Sequence, residues 1–189
     1  MLQSCIYAFF FVPLCAFYVL NRFTMKIISF IKIDGIVKMV MKGDSSLLVN
    51  RKPFFIPDWS NDIRMTPCIV LRISRLGKNI GAKFADRYYD SLALGVNIFA
   101  ADYVSNGDWV RGFAFDYSLI VGEFSLIEHF EKGLVIPLAD AIAEASSVMT
   151  LRQGDMIVID QNVEPRPLQA EEVLREEKNG KEVLYCKIK

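Results

Sequence analysis

This sequence has few of the residues from which metal and disulfide sites are built. It contains one histidine, His129, and four cysteines, and no two cysteines form a C-x-x-C pair. A disulfide framework or a structural zinc site needs closer grouping than this. We therefore expect reduced cysteines that pack as small apolar residues, and a cytosolic location.

The histidine lies in a polar segment, EHFEK, and no nucleophile pattern accompanies it. We expect His129 to be a solvated loop residue. Two alternatives stay open, a nucleophilic pair with Cys68 and a zinc site that uses both residues and one acid.

The chain also lacks an excess of charge of either sign. Its 22 lysines and arginines balance 22 aspartates and glutamates, and the basic residues form no run. Proteins that bind nucleic acid usually have a basic patch or stripe, and nucleotide-binding loops are rich in glycine. No basic patch is visible, so we expect no nucleic-acid partner. No glycine-rich phosphate-binding loop occurs either.

What is abundant is apolar surface for a core. Hydrophobic residues make up 52% of the 189 residues and charged residues 23%, which is typical of a folded domain and not of a disordered chain. The length suits one domain, or one domain plus a tail. We expect a single domain over residues 25–189, preceded by a hydrophobic leader over residues 1–24.

The leader contains the run CIYAFFFVPLCAFYVL from Cys5 to Leu20. This run is shorter than the roughly 20 residues of a membrane-spanning helix and is interrupted by Pro13. A secretory signal requires a basic segment before its apolar run, and no basic residue precedes Arg22. The favoured interpretation is that translation starts at Met25. A signal or membrane anchor, which would imply a membrane partner, and an extra packed element are the alternatives.

Two hairpins are visible at the ends of the domain. Asp34-Gly35 separates the apolar runs Lys26–Ile33 and Ile36–Met41, and Asn179-Gly180 separates Val173–Glu177 from Val183–Ile188. Asp-Gly and Asn-Gly are the preferred pairs of two-residue hairpin turns.

Between these hairpins the pattern predicts mainly strands. Apolar and β-branched runs predict strands, and helical spacing of apolar residues predicts helices. The predicted strands are Ser46–Val49, Cys68–Ile73, Phe113–Phe124 and Met156–Asp160, and the predicted helices are Ala82–Leu94 and Pro137–Val148. The expected fold class is mixed α/β and β-dominated.

Several segments in order resemble one enzyme family. KGDSSLLVNRKPFFIPDWS is similar to an opening K-P-x-S-x-L-L…PF-x-PD-x-S, FAFDYSLIVGEF to a K-x-F-D step, and SSVMTLRQGDMIVID to S-x-x-M-T-L-x-x-G-D-L-I. These motifs are typical of the fumarylacetoacetate hydrolase family, in particular its acylpyruvate hydrolase-like and 2-hydroxyhepta-2,4-diene-1,7-dioate isomerase-like members. The resemblance implies a β-roll with two or three helices that is commonly dimeric.

The same resemblance implies that the metal ligands are missing. The family has two glutamates in I-H-Y-E-x-E-L-V and a third carboxylate before A-R-D, and these hold a divalent cation. The matching positions here are Thr66, Cys68 and Asn97, none of which carries a carboxylate. Because Mg²⁺ and similar cations prefer carboxylate oxygens, we expect no metal cofactor.

Other family positions are also replaced. The resemblance places the histidine of I-H-Y-E at Arg64, the lysine of K-x-F-D at Phe113, and a glycine-rich substrate loop at Asp160–Arg166. Asp102, Asp116, Gly95 and Arg111 remain from the family's pattern, and Arg111 is expected in a loop that lines the pocket.

The sequence therefore predicts a degenerate family member that has lost catalysis. We expect a binding or dimerisation scaffold, as a homodimer or as a heterodimer with an active paralogue. The alternative is a weak or altered hydrolase or isomerase that acts on acylpyruvate-type 2-oxo acids. That enzyme would use Asp102 or Asp116 as a base, Arg111 to hold the carboxylate, and Mg²⁺ or Mn²⁺ as the cofactor.

Overall fold

The structure is a computed structural model that describes residues 25–49, 51–125, 133–178 and 180–189. The expectations for the leader and for His129 fall outside these ranges. Within them, strands dominate, and the mixed, β-dominated class is confirmed.

Ten strands and three short α-helices lie in the described residues. The strands are β1 (Ile27–Ile33), β2 (Ile36–Lys42), β3 (Leu47–Leu48), β4 (Ile63–Ile73), β5 (Tyr89–Ala100), β6 (Leu119–Val121), β7 (Met156–Asp160), β8 (Arg166–Pro167), β9 (Val173–Lys178) and β10 (Lys181–Lys187). The helices are α1 (Ala101–Ser105), α2 (Trp109–Phe113) and α3 (Leu138–Val148), with 3₁₀ turns at Asp44–Ser46 and Ala82–Arg87.

One large sheet organises the domain. Its strand order is β2-β1-β7-β4-β5-β6-β3, with β8 added beside β4, while β9 and β10 form a separate hairpin. The β1–β7 and β3–β6 pairs are parallel, and the other pairs in the sheet are antiparallel. Strands β4 and β5 pair along almost their whole length, so they form the longest pairing in the sheet.

Helix α3 covers one face of this sheet because its apolar residues recur at helical spacing. Leu138, Ala141, Ile142 and Ala145 are buried in one cluster with the outward-facing strand residues Ile28, Phe30, Ile69, Leu71, Ile157 and Ile159. A 3.6-residue period places these four helix residues on one side. The terminal hairpin of β9 and β10 packs against another part of β4 and β5, where Leu174 and Leu184 cluster with Met65, Val96 and Ile98.

The residues on the other face of β1, β4, β5, β6 and β7 point into the interior of the roll. Ile27, Val70, Ala93, Leu119 and Val158 form an apolar cluster there together with Cys68. This interior contains the positions that the resemblance associates with metal binding.

The clearest local patterns were predicted correctly. Both hairpins form, and Asp34 and Gly35 have positive φ angles of 52° and 77°, as a primed turn requires. The strand Met156–Asp160 and the helix at Pro137–Val148 are confirmed, with Pro137 at the N-cap of α3.

The predicted helix Ala82–Leu94 is wrong over its second half. A 3₁₀ turn ends at Arg87, and Tyr89 begins the twelve-residue strand β5. The helical spacing of Phe84, Tyr88 and Leu92 is outweighed by the pairing of β5 with β4, which tertiary structure supplies and periodicity does not show.

Two predicted strands are shorter than expected. Phe113 ends helix α2, and only Leu119–Val121 of the predicted segment Phe113–Phe124 is a strand, because Tyr117 turns the chain with φ 61°. In Ser46–Val49 the strand is limited to Leu47–Leu48. No helix among the described residues is both long and apolar enough to cross a membrane.

The carboxylate of Asp155 is expected to be a major local contributor to stability. It accepts hydrogen bonds from the backbone N–H groups of Lys26 (3.0 Å) and Arg152 (2.8 Å), and it lies 2.6 Å from the Lys26 ammonium. Asp155→Ala should lower the free energy of unfolding by about 2–3 kcal/mol, because a buried carboxylate and its donors lose their partners. Urea unfolding measures this change. The exposed Asp86→Ala is the control, and an equal loss in both variants would contradict the assignment.

Candidate functional site

The three positions that the resemblance associates with metal ligands converge in the interior of the roll. Thr66 and Cys68 lie two residues apart on β4 and therefore share a face, and Asn97 on β5 is directly opposite Thr66. All three side chains are buried. Gly95 is opposite Cys68, and a Cβ atom there would lie 3.0 Å from the Cys68 sulfur and 2.9 Å from the Ile120 carbonyl oxygen. Glycine therefore allows the cysteine side chain to fit.

Two charged residues join this group, and the sequence pattern did not reveal them as a pair. Lys42 ends β2 with 2% of its surface exposed, and Asp160 ends β7 with 4% exposed. Asp160 is directly opposite Cys68, and its Oδ1 accepts a hydrogen bond of 2.9 Å from Asn97 Nδ2. We call Lys42, Cys68, Asn97, Ser118 and Asp160 the interior cluster. The signal available in the sequence was a charged residue at the end of a strand: Asp160 ends the otherwise apolar strand β7, and Lys42 ends β2.

The geometry around Lys42 matches a protonated amine. Its Nζ donates to the Ile98 carbonyl oxygen at 3.2 Å, to the Ser118 carbonyl oxygen at 2.9 Å and to Ser118 Oγ at 3.0 Å. Ser118 Oγ donates its own proton to the Phe113 carbonyl oxygen at 3.0 Å, so it can only accept from lysine. Three acceptors require three N–H groups, which an ammonium has and a neutral amine lacks.

Burial brings the titration of both charged groups close to neutral pH. Burial lowers the pKa of Lys42 to about 7, against the opposing effect of the Asp160 charge. Burial raises the pKa of Asp160 to about 8, against the hydrogen bond from Asn97 and the Lys42 charge. Burial also raises the pKa of the Cys68 thiol well above its usual value, and Asp160 raises it further. Cys68 is therefore a neutral thiol and not a thiolate ligand.

These residues do not fit a site for Mg²⁺ or Mn²⁺. Such ions take about six hard oxygen ligands, and the interior cluster has one carboxylate, which is already hydrogen-bonded to Asn97. The Lys42 ammonium would also repel a cation. Asn97 Oδ1 has no hydrogen-bond partner among the described residues, so it leaves one neutral oxygen for a ligand. Across the described residues, no three acidic, histidine or cysteine side chains are grouped closely enough to hold a metal ion.

An aromatic stack lies at the position that the resemblance assigns to the family's lysine. Phe113 is 1% exposed, and its ring stacks with Phe99 at a centroid distance of 5.3 Å and with Trp109 at 6.0 Å. Ile31 completes this cluster. Apolar packing therefore replaces a charged side chain beside Ser118, the residue that binds Lys42.

Asp102 has a structural set of partners. Its Oδ1 accepts from Ser60 Oγ at 2.7 Å and from the Tyr103 N–H at 3.0 Å, and its Oδ2 accepts from the Asn61 N–H at 3.1 Å. Partial burial acts to raise its pKa, but these hydrogen bonds outweigh that effect and hold the pKa of Asp102 below its usual value. The carboxylate joins the start of α1 to the loop before β4.

Arg111 and Asp116 lie together, away from the interior cluster. Both line a surface pocket of about 690 Å³ whose walls include Phe55, Trp59 and Tyr103. Arg111 is in helix α2, so its expected position in a loop is wrong. The structure therefore brings two of the three candidates to one pocket and places Asp102 outside its lining.

The remaining family positions lie partly on the surface and partly in the interior. Arg64, at the family's histidine position, forms an ion pair with Asp62 at 2.9 Å. In the Asp160–Arg166 segment, Asp160 ends β7 in the interior, and Arg166 begins β8 and forms an ion pair with Glu172 at 2.9 Å.

No sequence profile of a known family matches this chain, and no curated protein sequence matches it. Solved structures do match it. A Yersinia pestis CO92 protein assigned to the fumarylacetoacetate hydrolase family superposes with a TM-score of 0.72 at 19% identity, covering 87% of this chain and 92% of that one. The 2-hydroxyhepta-2,4-diene-1,7-dioate isomerase of Mycobacterium marinum gives 0.73 at 15% identity, covering 87% and 73%.

A third solved structure has ligands. The fumarylpyruvate hydrolase of Pseudomonas aeruginosa, in complex with Mn²⁺ and pyruvate, superposes with a TM-score of 0.69 at 14% identity and covers 87% of this chain and 88% of that one. Together these likenesses show that the chain has the fold of the fumarylacetoacetate hydrolase family, as the resemblance implied.

The pH dependence of stability should reveal Asp160. Because its folded pKa is raised to about 8, it stabilises the folded state fully below the unfolded value near 4, and this contribution is lost as the pH rises to 8. The unfolding free energy of the wild type minus that of Asp160→Asn should therefore fall between pH 5 and pH 8, by at most about 1.4 kcal/mol per pH unit.

Two further variants test the direction of this pH dependence. For Lys42→Met the same difference should rise from pH 7 toward pH 10, because the folded pKa of Lys42 is lowered. For the exposed Asp90→Asn it should be flat from pH 5 to pH 8, since the pKa of Asp90 is lowered by its hydrogen bond from Ser91 against a small effect of burial. A flat or rising difference for Asp160→Asn would show that this carboxyl is ionised throughout.

Proposed function

We propose that this protein is a degenerate member of the fumarylacetoacetate hydrolase family that carries out no metal-dependent chemistry and serves as a binding scaffold in the cytoplasm. The observation that supports this proposal best is the interior cluster. At the positions that the resemblance associates with metal ligands, Thr66, Cys68 and Asn97 supply a hydroxyl, a thiol and a carboxamide in place of three carboxylates, and the interior cluster adds the buried Lys42 amine.

The expected loss of rate is large. A Lewis-acid metal on a substrate oxygen contributes several kcal/mol of transition-state stabilisation, and each 1.36 kcal/mol is tenfold in rate. Nothing in the interior cluster supplies that charge to a substrate, because the Lys42 ammonium is already bound to Ser118 and Ile98. The stack of Phe99, Phe113 and Trp109 also fills space beside the cluster with apolar groups.

A second candidate function is a weak or altered hydrolase or isomerase that acts on acylpyruvate-type 2-oxo acids. The observation that favours it is the shared pocket of Arg111 and Asp116, which could supply an anion-binding group and a base. Asp102 is a poorer base, because three hydrogen bonds stabilise its charged form. If this function is right, Mg²⁺ or Mn²⁺ would be its cofactor.

A thermal-shift titration separates the two functions. We expect no change in the melting temperature of this protein with Mn²⁺ or Mg²⁺, with or without pyruvate. A ligand at 100 times its dissociation constant stabilises a protein by about 2.7 kcal/mol, which is easily measured. The Pseudomonas aeruginosa fumarylpyruvate hydrolase, solved with Mn²⁺ and pyruvate, is the positive control. A metal-dependent shift, or acylpyruvate hydrolysis that EDTA abolishes, would favour the enzyme.

A variant that restores the three carboxylates tests whether these positions correspond to the family's metal ligands. Thr66→Glu, Cys68→Glu and Asn97→Asp together should be unstable without metal, because buried carboxylates without a counter-charge are costly. The same variant should gain a Mn²⁺-dependent increase in melting temperature. Absence of that increase in a folded variant would mean that these positions do not form the metal site.

We further propose that the scaffold associates as a homodimer, or as a heterodimer with an active paralogue, through strand β2. Within the described chain β2 has a strand partner on one side only, and Val37 and Met41 are exposed on one of its faces. An exposed apolar edge strand is a preferred site for pairing with another chain.

Light scattering after size exclusion tests homodimer formation. Wild-type protein should elute as a dimer, and Val37→Lys/Met41→Lys should elute as a monomer, because lysine opposes pairing at an edge strand. Leu76→Lys is the matched control, since Leu76 is an exposed apolar residue outside β2. A dimeric double variant would exclude β2 as the surface.

A further inference from the structure

The pocket that contains Arg111 has walls made largely of aromatic rings. Trp59 stands edge-on to Tyr103 at a centroid distance of 5.3 Å and edge-on to Phe115 at 5.2 Å. Phe54 is buried at its base, whereas Phe55 is 64% exposed. We call this feature the aromatic pocket. Exposed rings grouped around one concavity are unusual on a protein surface without a ligand or partner.

Two cations lie over rings of the pocket lining, Arg111 from within that lining and Lys189 from outside it. The Arg111 guanidinium lies 5.8 Å from the centre of the Tyr103 ring, and the Lys189 ammonium lies 5.8 Å from the centre of the Phe55 ring. Among the described residues, Arg111 has one acidic partner, Asp108, at 3.4 Å, and the arginine side chain is 70% exposed. It therefore retains donors for another anion. Asp116 is the acidic residue of the pocket lining.

We propose that the aromatic pocket binds an aromatic carboxylic acid. The ring of the ligand would pack among Trp59, Tyr103 and Phe55, and its carboxylate would contact Arg111. A pocket of about 690 Å³ is within the range that small-molecule sites occupy, and such sites typically combine apolar walls with a few polar groups. A guanidinium is suited to carboxylates because its N–H groups match their two oxygens.

This binding is separate from the proposed loss of metal chemistry. The lining of the aromatic pocket includes no residue of the interior cluster, so a ligand here needs no metal. Failure of the metal experiment would leave this proposal intact, and the reverse also holds.

Calorimetric titration of the full chain with trans-cinnamate tests the proposal, with trans-cinnamamide and cyclohexanecarboxylate as matched probes. Cinnamate should bind saturably, and each matched probe should bind at least about tenfold more weakly, because one lacks the charge and the other the aromatic ring. The emission of Trp59 should change over the same concentration range in a Trp109→Phe background, in which no other tryptophan is left.

Variants locate the site. Arg111→Gln and Trp59→Leu should each weaken cinnamate binding about tenfold or more, and Asp116→Asn should strengthen it. Arg72→Gln should leave it unchanged, and this control is matched, because Arg72 also pairs with an aspartate, Asp90, and lies over a ring, Phe124, outside the pocket. Equal binding of cinnamate and cinnamamide, equal effects of Arg72→Gln and Arg111→Gln, or no saturable binding would overturn the proposal.

Discussion

The buried ammonium of Lys42 is the charge around which the interior of the roll is arranged. A charge without partners in an apolar interior would prevent folding, so every group around it must compensate. Ser118 supplies two of its three acceptors and Ile98 the third, and the charge of Asp160, when this carboxyl is ionised, favours the ammonium. Asn97 then binds the carboxylate of Asp160. Strands β2, β5 and β7 and the segment before β6 are thereby held in one arrangement by polar contacts as well as by pairing.

This arrangement explains why neutral side chains occupy the positions of Thr66, Cys68 and Asn97. The interior already contains one buried basic group and one buried acidic group, and each further carboxylate would need another cation. Phe113 affects the packing of the same region. Its apolar ring stands where the resemblance places a lysine, and it extends the apolar core toward Phe99 and Trp109. The charge and the packing of this interior therefore both fit the proposal that it binds no metal.

Much of the fold could be predicted from the sequence because the signals are local. Asp34-Gly35 requires a tight turn, and the periodicity of residues 138–148 requires one apolar helix face. The strand at residues 89–94 could not be predicted in this way, because its partner β4 is defined only in three dimensions. The convergence of Thr66, Cys68 and Asn97 followed from the family resemblance. Lys42 and Asp160 were missed as a pair, since no local pattern relates residues 118 positions apart.

The parallel pairing of β1 with β7 has a consequence for the synthesis of the chain. In the sheet, β7 lies between β1 and β4, so the hairpin of β1 and β2 has no place to attach until residues 156–160 have left the ribosome. Pairing across such a separation is slow, because loop closure must precede the contacts that reward it. For most of translation the apolar strand IISFIKI therefore lacks its β7 partner, and exposed strands of this kind are what chaperones protect from aggregation.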